Sequence, residues 1–150
     1  MIYIRDSNLL ELNKLSKMGS QKHVGMFLSH KSLETHKKDF IKNNIIYLSI
    51  LSSTGLLAGY FILCKEMNTK NVQFKRILID EKHLGIGQEA ILAMEKYCKS
   101  ELRADRIWLD VYEKNSKAIY IYEKLGYKQF ERNIQKFESV LFYEKNLSLR

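Results

Sequence analysis

Three consecutive β-rich runs between residues 45 and 79 constrain the fold of this chain more than any other feature. The runs "IIYLSILSS" and "LLAGYFILCKE" flank a short link that contains Gly55, which is a hairpin signal. The third run, "NVQFKRILI", follows after the short polar link "MNTK". The pattern predicts three antiparallel strands in succession.

The rest of the sequence predicts helices and single strands around these three strands. The first half begins with the strand "MIYIR", a helical stripe of Leu9, Leu12 and Leu15, an aperiodic segment over 18–31 and a helix from Ser32. The second half contains a helix over 85–102, the strand "RIWLDVY", a helix capped by Asn115 and stopped by Gly126, and the strands "YKQFER" and "SVLFYEK". We therefore expect one α/β (α+β) domain over 1–150, with a mostly antiparallel mixed sheet of about six to seven strands and about four helices.

Composition narrows the class of protein. The chain has 150 residues, of which 45% are hydrophobic and 28% charged, as in an ordinary globular domain. No apolar run approaches the ~20 residues that span a membrane, and no signal peptide is visible, so a cytoplasmic location is expected. Cys64, Cys98 and the four histidines have no metal-ligand spacing, so no metal site is expected.

The net charge of +8 is concentrated in residues 14–42, which hold seven lysines against Glu34 and Asp39. Such a surplus attracts nucleic acid, an acidic substrate or a phosphorylated cofactor, or it merely keeps the surface solvated. Aromatic residues are not interleaved with the lysines as a base-stacking surface requires, so no nucleic-acid partner is expected.

The stretch "HLGIGQEAIL" over 83–92 has the G-x-G-x-x-A spacing of a dinucleotide-binding fingerprint. That reading is disfavoured, because the fingerprint belongs near the first strand of a strand–helix–strand unit and here it follows the three antiparallel strands. Two interpretations remain. The first amides of the helix, with Lys82 nearby, form an anion site sized for a pyrophosphate, or the glycines merely allow a tight turn.

Two segments of the second half resemble hallmarks of the GNAT superfamily of acyl-CoA N-acyltransferases. "KHLGIG", from Lys82, is similar to that family's [Q/R]-x-x-G-x-[G/A] at a strand-to-helix turn. "NSKAIYIYEKLGY", from Asn115, is similar to its N-x-x-A-x-x-x-Y-E-K-x-G-[F/Y] segment. The similarity covers roughly residues 45–132. Lys82 replaces the usual Gln or Arg, and Gln88 stands where a small residue is frequent, which affects only the detail of the phosphate contacts.

The resemblance implies acetyl-CoA as co-substrate. Its pyrophosphate would bind the amides of residues 82–88, and its pantetheine arm would pair with the strand edge and bond Asn115. The family's sheet splays open between its fourth and fifth strands, here "VQFKRILI" and "RIWLDVY", and the acetyl group would enter that opening. The cofactor-binding residues implied are Ile77, Leu78, Ile79, Lys82, His83, Leu84, Gly85, Ile86, Gly87, Gln88, Asn115 and Tyr122.

Tyr122 is the candidate catalytic donor. Direct acetyl transfer needs a neutral amine, hydrogen-bond donors for the developing oxyanion and a proton for the departing thiolate. The resemblance places Tyr122 at the thioester sulfur, where its phenol would donate a proton or a hydrogen bond; a tyrosine packed in the core is the alternative. The resemblance also implies a backbone amide of the Leu78–Ile79 region as the oxyanion donor.

Asp110 is the candidate base that takes a proton from the amine. Strand alternation puts it on one face with Trp108 and Tyr112, and some members of the resembled family have an acidic residue at this place. An unshifted carboxylate is a weak base, so Asp110 needs burial or a water relay. Glu81 and Asp80 are rival candidates, and a strand carboxylate paired with a cation is the structural alternative.

The sequence thus predicts an N-acetyltransferase that moves an acetyl group from acetyl-CoA to a primary amine by direct attack in a ternary complex. A catalytically silent acyl-CoA-binding sensor or partner-docking module of the same fold is the alternative. The family selects its acceptor with the first helices and their loop, here about 18–35, including Met26 and Phe27. The acceptor stays open between a small-molecule amine and a protein or peptide amine. Dimers are common in that family, so a homodimer is one arrangement to expect.

Overall fold

The protein is a seven-stranded mixed sheet with helices on both faces, in a computed structural model that describes residues 1–24 and 30–149. The strands are β1 (Tyr3–Asp6), β2 (Ile45–Leu51), β3 (Leu57–Lys65), β4 (Asn71–Ile79), β5 (Arg106–Tyr112), β6 (Lys128–Gln135) and β7 (Glu138–Asn146). The helices are α1 (Leu12–Met18), α2 (Leu33–Phe40), α3 (Gly87–Ser100) and α4 (Ser116–Lys124), and three-residue 3-10 turns lie at Leu9–Glu11, Glu81–His83 and Leu147–Leu149. The predicted fold class is confirmed.

The helix predicted over 85–102 is shorter at both ends in the structure. Gly85 has a φ of +106°, which lies outside the helical region, so α3 begins only at Gly87. The helix ends at Ser100, and Arg103 takes a φ of +57° shortly after. The aperiodic segment predicted over 18–31 forms turns as far as Val24, while Met26 and Phe27 lie outside the described residues.

The sheet has the strand order β1-β2-β3-β4-β5-β7-β6, and β4–β5 is its parallel pair. These two strands pair at three positions, from Asn71 opposite Arg106 to Gln73 opposite Trp108. Beyond them β4 continues beside β3 to Ile79, and β5 continues beside β7 to Tyr112. The two halves of the sheet therefore separate at the centre, which confirms the predicted splay between the fourth and fifth strands.

Each face of the sheet has its own hydrophobic core. The larger core lies under α3 and α4, and Ile91, Met94 and Cys98 bury one stripe of α3 in it. The smaller core lies under α1 and α2 and contains Leu12 and Leu15 together with alternate residues of β2, β3 and β4. None of the helices in the described part of the chain is long and apolar enough to cross a membrane.

Candidate active site

A cavity of about 360 Å³ occupies the split between β4 and β5. Its walls come from both strands, from α4 and from the β6–β7 hairpin, and they include the predicted residues Ile77, Leu78, Ile79, Asp110, Asn115 and Tyr122. Some of these side chains belong to the α3/α4 face and others to the α1/α2 face, so the cavity reaches through the sheet. Among the predicted residues, the split brings together groups that lie up to 45 residues apart in the chain, from Ile77 to Tyr122.

A β-bulge in β4 shapes one wall. Ile62 of β3 pairs with Arg76, whereas the next residue, Leu63, pairs with Phe74, so Lys75 is an extra residue in β4. Bulges bend a strand and re-aim its side chains, and they recur beside functional sites. Here the bulge begins where β4 leaves β5, and both Lys75 and Arg76 line the cavity.

Tyr122 lies half-buried on the α4 wall of the cavity. Its ring meets the ring of Tyr127 at a centroid distance of 5.9 Å. Burial, and to a smaller extent the charge of Asp110, raises the pKa of the Tyr122 hydroxyl to about 12. The phenol is therefore protonated at neutral pH, and its hydroxyl keeps a proton to donate to a ligand in the cavity.

Asp110 is the one carboxylate among the described residues that line the cavity. The Asp110 side chain is exposed to solvent. Desolvation by the surrounding protein nevertheless raises its pKa, and the charge of Lys75 partly opposes this effect. The rival carboxylates are placed differently. Asp80 accepts a hydrogen bond from the Lys82 amide at 2.9 Å, and Glu81 lies exposed in the 3-10 turn. Neither rival lines the cavity in the split.

The backbone of β4 offers hydrogen-bonding groups to the split. The Asp80 amide donates to the Ala58 carbonyl of β3 at 2.8 Å, and successive residues of a strand alternate in direction. Leu78 therefore turns its amide toward β3, whereas Ile77 and Ile79 turn theirs toward the split. Consistent with this, Nε2 of His23 donates to the Ile79 carbonyl at 2.7 Å from the cavity side.

The turn between β4 and α3 has the features of an anion site. Ile86, the residue before α3, provides no side-chain cap, so the first amides of this 14-residue helix are left for another acceptor. A Cβ built on Gly85 or on Gly87 meets no atom within 4 Å, so the space above both glycines is open. The His83 amide, by contrast, donates to the Asp80 carbonyl at 2.8 Å.

Within the predicted stretch 82–88, two groups of amides differ in what they can bind. Those of Lys82 and His83 are engaged by Asp80 inside the 3-10 turn. Those at the start of α3, at Gly87 and Gln88, point along the helix axis toward the open space. The second group is the part of the stretch that is suited to hold a phosphate.

Asn115 caps α4 and lines the cavity at the same time. Its Oδ1 accepts a hydrogen bond from the Ala118 amide at 3.2 Å, as an N-cap side chain does. The Nδ2 group of the same side chain is the part suited to contact a ligand.

Sequence reasoning did not identify Lys75, Arg76 and His23 as cavity residues. One signal for the first two was present, since adjacent cations interrupt the apolar pattern of "NVQFKRILI". His23 reaches the site from an aperiodic turn, and no periodicity could place it there. Among the described residues, no group of three or more His, Cys, Asp or Glu side chains is arranged to hold a metal ion.

Comparison with solved structures agrees with this fold. A spermidine N-acetyltransferase from Vibrio cholerae in complex with CoA and spermine superposes with a TM-score of 0.85 at 16% identity, covering 98% of this chain and 96% of that one. The dodecameric structure of spermidine N-acetyltransferase from Vibrio cholerae in an intermediate state gives a TM-score of 0.81 at 16% identity, covering 98% and 94%. A search of curated proteins by sequence finds no significant match.

The model of the acetyltransferase (GNAT) family matches residues 13–127, which is most of the chain. The matched range contains β2 to β5 and all of α3 and α4, and hence both walls of the split. The chain belongs to the acetyltransferase (GNAT) family, and is an acetyl-CoA-dependent N-acyltransferase.

Proposed function

We propose that this chain transfers an acetyl group from acetyl-CoA directly to a primary amine while both substrates occupy the cavity in the split. The observation that carries the proposal is that Tyr122 and Asp110 line one cavity from opposite faces of the sheet. Tyr122 packs against the core under α3 and α4. In β5 that core contains Ile107, Leu109 and Val111, so Asp110, which alternates with them, projects from the opposite face of the sheet.

Groups of this chain fit acetyl-CoA at three places. The first amides of α3, below the open space at Gly85 and Gly87, would hold the pyrophosphate. The amides of Ile77 and Ile79 face the split and would serve the pantetheine arm and the developing oxyanion. Asn115 would contact the arm with Nδ2. Bound acetyl-CoA supplies an acetyl thioester, whose carbonyl carbon is open to attack by an amine.

Asp110 serves as the base. An ammonium has no lone pair, so the acceptor must lose a proton before or during its attack. The raised pKa of Asp110 makes its carboxylate a better proton acceptor than a carboxylate of ordinary pKa. The nitrogen–carbon bond then forms as the carbon–sulfur bond breaks, and the proton of the amine goes to Asp110 directly or through water.

Tyr122 assists the departing sulfur. Its pKa of about 12 lies above the ~8.5 of an alkyl thiol, so the phenol stays protonated beside the thiolate. We therefore assign Tyr122 the role of hydrogen-bond donor to the thiolate, with solvent completing the protonation. This assignment sharpens the sequence-based expectation, which left proton donation and hydrogen bonding open.

Initial-rate kinetics with acetyl-CoA and an amine varied together test direct transfer. Lines that intersect in the double-reciprocal plot show that both substrates bind before product leaves, as we expect. Parallel lines, with acetylated protein detected by mass spectrometry, would instead show a covalent intermediate. Tight CoA binding without turnover of any amine would favour the sensor over the enzyme.

A further inference from the structure

The cavity in the split carries more positive than negative charge. The cations Lys75 and Arg76 line it, and Asp110 is the one acidic side chain among its described lining residues. His23 adds a ring nitrogen that donates to the Ile79 carbonyl. A pocket with this balance of charge favours an occupant that carries a negative group.

Arg76 projects on the face of the sheet that α1 and α2 cover, which is the acceptor side if the first helices select the acceptor. It pairs in register with Ile62 of β3, and the side chain of Ile62 lies in the core under α1 and α2. Side chains at paired positions share a face of the sheet, so the guanidinium lies on the face opposite the core that Tyr122 packs against. An acceptor that enters from the α1/α2 side would meet the Arg76 side chain on that side of the cavity.

Tyr60 contacts the guanidinium, and Tyr47 and His36 pack behind Tyr60. The Tyr60 hydroxyl lies beside Arg76, and the charge of Arg76 acts to lower its pKa against the larger effect of burial. The Tyr60 ring stacks on Tyr47 with centroids 6.3 Å apart and an interplanar angle of 12°. The Tyr47 hydroxyl in turn lies 2.6 Å from Nδ1 of His36, which is 1% exposed. The guanidinium thus lies beside a packed group of buried aromatic side chains.

The surface beside the cavity is basic as well, and part of it, at Lys82 and His83, belongs to the stretch expected to bind acetyl-CoA. A second hollow, of about 420 Å³, lies between α1, the start of β3 and the 3-10 turn Glu81–His83. Its described lining residues include one carboxylate, Asp80, and four basic side chains, Lys14, Lys17, Lys82 and His83. Gln21 lines this hollow while His23 lines the cavity, so the two spaces lie on either side of one turn.

We propose that the amine acceptor of this enzyme carries an anionic group, a carboxylate or a phosphate, that binds the guanidinium of Arg76. This inference rests on the proposed acetyl transfer. Guanidinium groups bind both anions with paired hydrogen bonds, which fixes the orientation of the bound molecule. Nearby positive charge also disfavours the ammonium form of the acceptor and so favours the neutral amine that attacks.

A polycation fits this site poorly. The second ammonium of a diamine or polyamine would lie near Arg76 and Lys75, where like charges repel. The solved structures with the same fold include a spermidine N-acetyltransferase in complex with spermine. This chain therefore shares their fold but prefers an acceptor that carries an anionic group.

Matched pairs of acceptors test the inference. Lysine is compared with cadaverine, which lacks its carboxylate, and phosphoethanolamine with ethanolamine, while spermidine represents the polyamines. We expect the member that carries the carboxylate or phosphate, in at least one pair, to have a kcat/KM at least tenfold above its partner and above spermidine. The pair that responds identifies the anion as carboxylate or phosphate. Equal or better turnover of cadaverine, ethanolamine and spermidine would overturn the inference and leave acetyl transfer intact.

Variants of Arg76 test its role in specificity. Arg76→Met should raise the KM for the preferred acceptor at least tenfold and remove its advantage over the partner that lacks the anionic group. The KM for acetyl-CoA should stay within about twofold. Arg76→Lys should keep part of the preference, because lysine keeps the positive charge but lacks the paired N–H donors of the guanidinium. Lys38→Met, an exposed lysine of α2, changes the net charge equally and should leave every constant unchanged.

Binding measurements separate this inference from the proposed function. Calorimetric titration of the same acceptor pairs into the CoA-bound protein reports the preference even without turnover. Anion-selective binding that Arg76→Met abolishes supports the inference whether or not acetyl transfer is detected. Binding that does not discriminate within either pair, or selectivity that survives in Arg76→Met, would contradict it.

Discussion

The rings of Phe74 and Tyr122 meet nearly edge to face, with centroids 5.9 Å apart and an interplanar angle of 80°. Phe74 belongs to β4 at the point where this strand leaves β5, and Tyr122 belongs to α4. The contact ties the helix to the edge of the split. It sets the phenol in the cavity wall through packing of the ring, so the position of the ring does not depend on its hydroxyl.

Tyr122→Phe should therefore separate chemistry from structure. The ring contact with Phe74 is kept while the donor to the thiolate is lost, so we expect kcat to fall about 100-fold or more. The dissociation constant for acetyl-CoA should stay within about twofold. Tyr120→Phe is the matched control, because Tyr120 lies on the same helix and is 64% exposed. Unchanged turnover in Tyr122→Phe would remove the role assigned to this residue.

Asp110→Asn should remove the base and keep the shape of the cavity. We expect kcat/KM for the amine to fall about 100-fold. In the wild type, protonation of Asp110 should lower kcat/KM as pH falls, and this contribution should be absent from the variant. The sign follows from the carboxylate, which must be deprotonated to accept a proton and whose pKa is raised by burial. Asp105→Asn, an exposed carboxylate at the start of β5, should leave the profile as in the wild type. If kcat/KM of Asp110→Asn falls at low pH as in the wild type, Asp110 is not the base, and water accepts the proton or the amine loses it in solution before binding.

Gly87→Ala should weaken CoA binding without harming the fold. The added methyl group meets no atom of the protein within 4 Å and projects into the space we assign to the pyrophosphate. We expect the dissociation constant for CoA to rise about tenfold, with stability unchanged or slightly higher, since Ala favours helix. Gly85→Ala is a useful contrast. Its φ of +106° should make that change cost about 1–2 kcal/mol. If Gly87→Ala binds CoA with wild-type affinity, the pyrophosphate does not bind above Gly87.

Stability should fall at mildly acidic pH because of His36. Burial, reinforced by Lys31 and Arg76 and opposed by Asp39, lowers the pKa of His36 to about 4. The unfolded chain binds the proton near pH 6.5, so stability is complete above that pH and declines as pH falls toward 4. We expect roughly 2 kcal/mol of loss between pH 7 and pH 5 from this group.

Denaturant unfolding of His36→Gln checks that origin. Glutamine keeps a polar partner for the Tyr47 hydroxyl but does not titrate, so the variant should lose much less stability between pH 7 and pH 5. The contribution of Glu11, whose pKa is lowered to about 2 chiefly by Arg5, is lost at lower pH and should be the same in both proteins. An equal acid response of the two proteins would assign the effect to other groups.

The sequence was sufficient for the order of elements and for the residues in local motifs. The bounds of β4 follow from an uninterrupted run of strand residues, and Asn115 and Tyr122 occupy fixed positions in one helical motif. The bulge at Lys75 could not be predicted, because the extra residue is defined only by pairing with β3. For that reason the sequence did not reveal that Arg76 lines the acceptor side. His23 meets Ile79 across 56 residues of chain, a contact that tertiary packing alone determines.

The most direct test of acetyl transfer is thiol release from acetyl-CoA, measured with and without amines and followed by mass spectrometry of the amine. We predict that wild-type protein releases thiol only when an amine is present, in amounts equal to the N-acetylated amine formed. Acetyl-CoA that binds tightly but gives no acetylated product with any amine would contradict the claim, as would an acetyl group that stays on the protein.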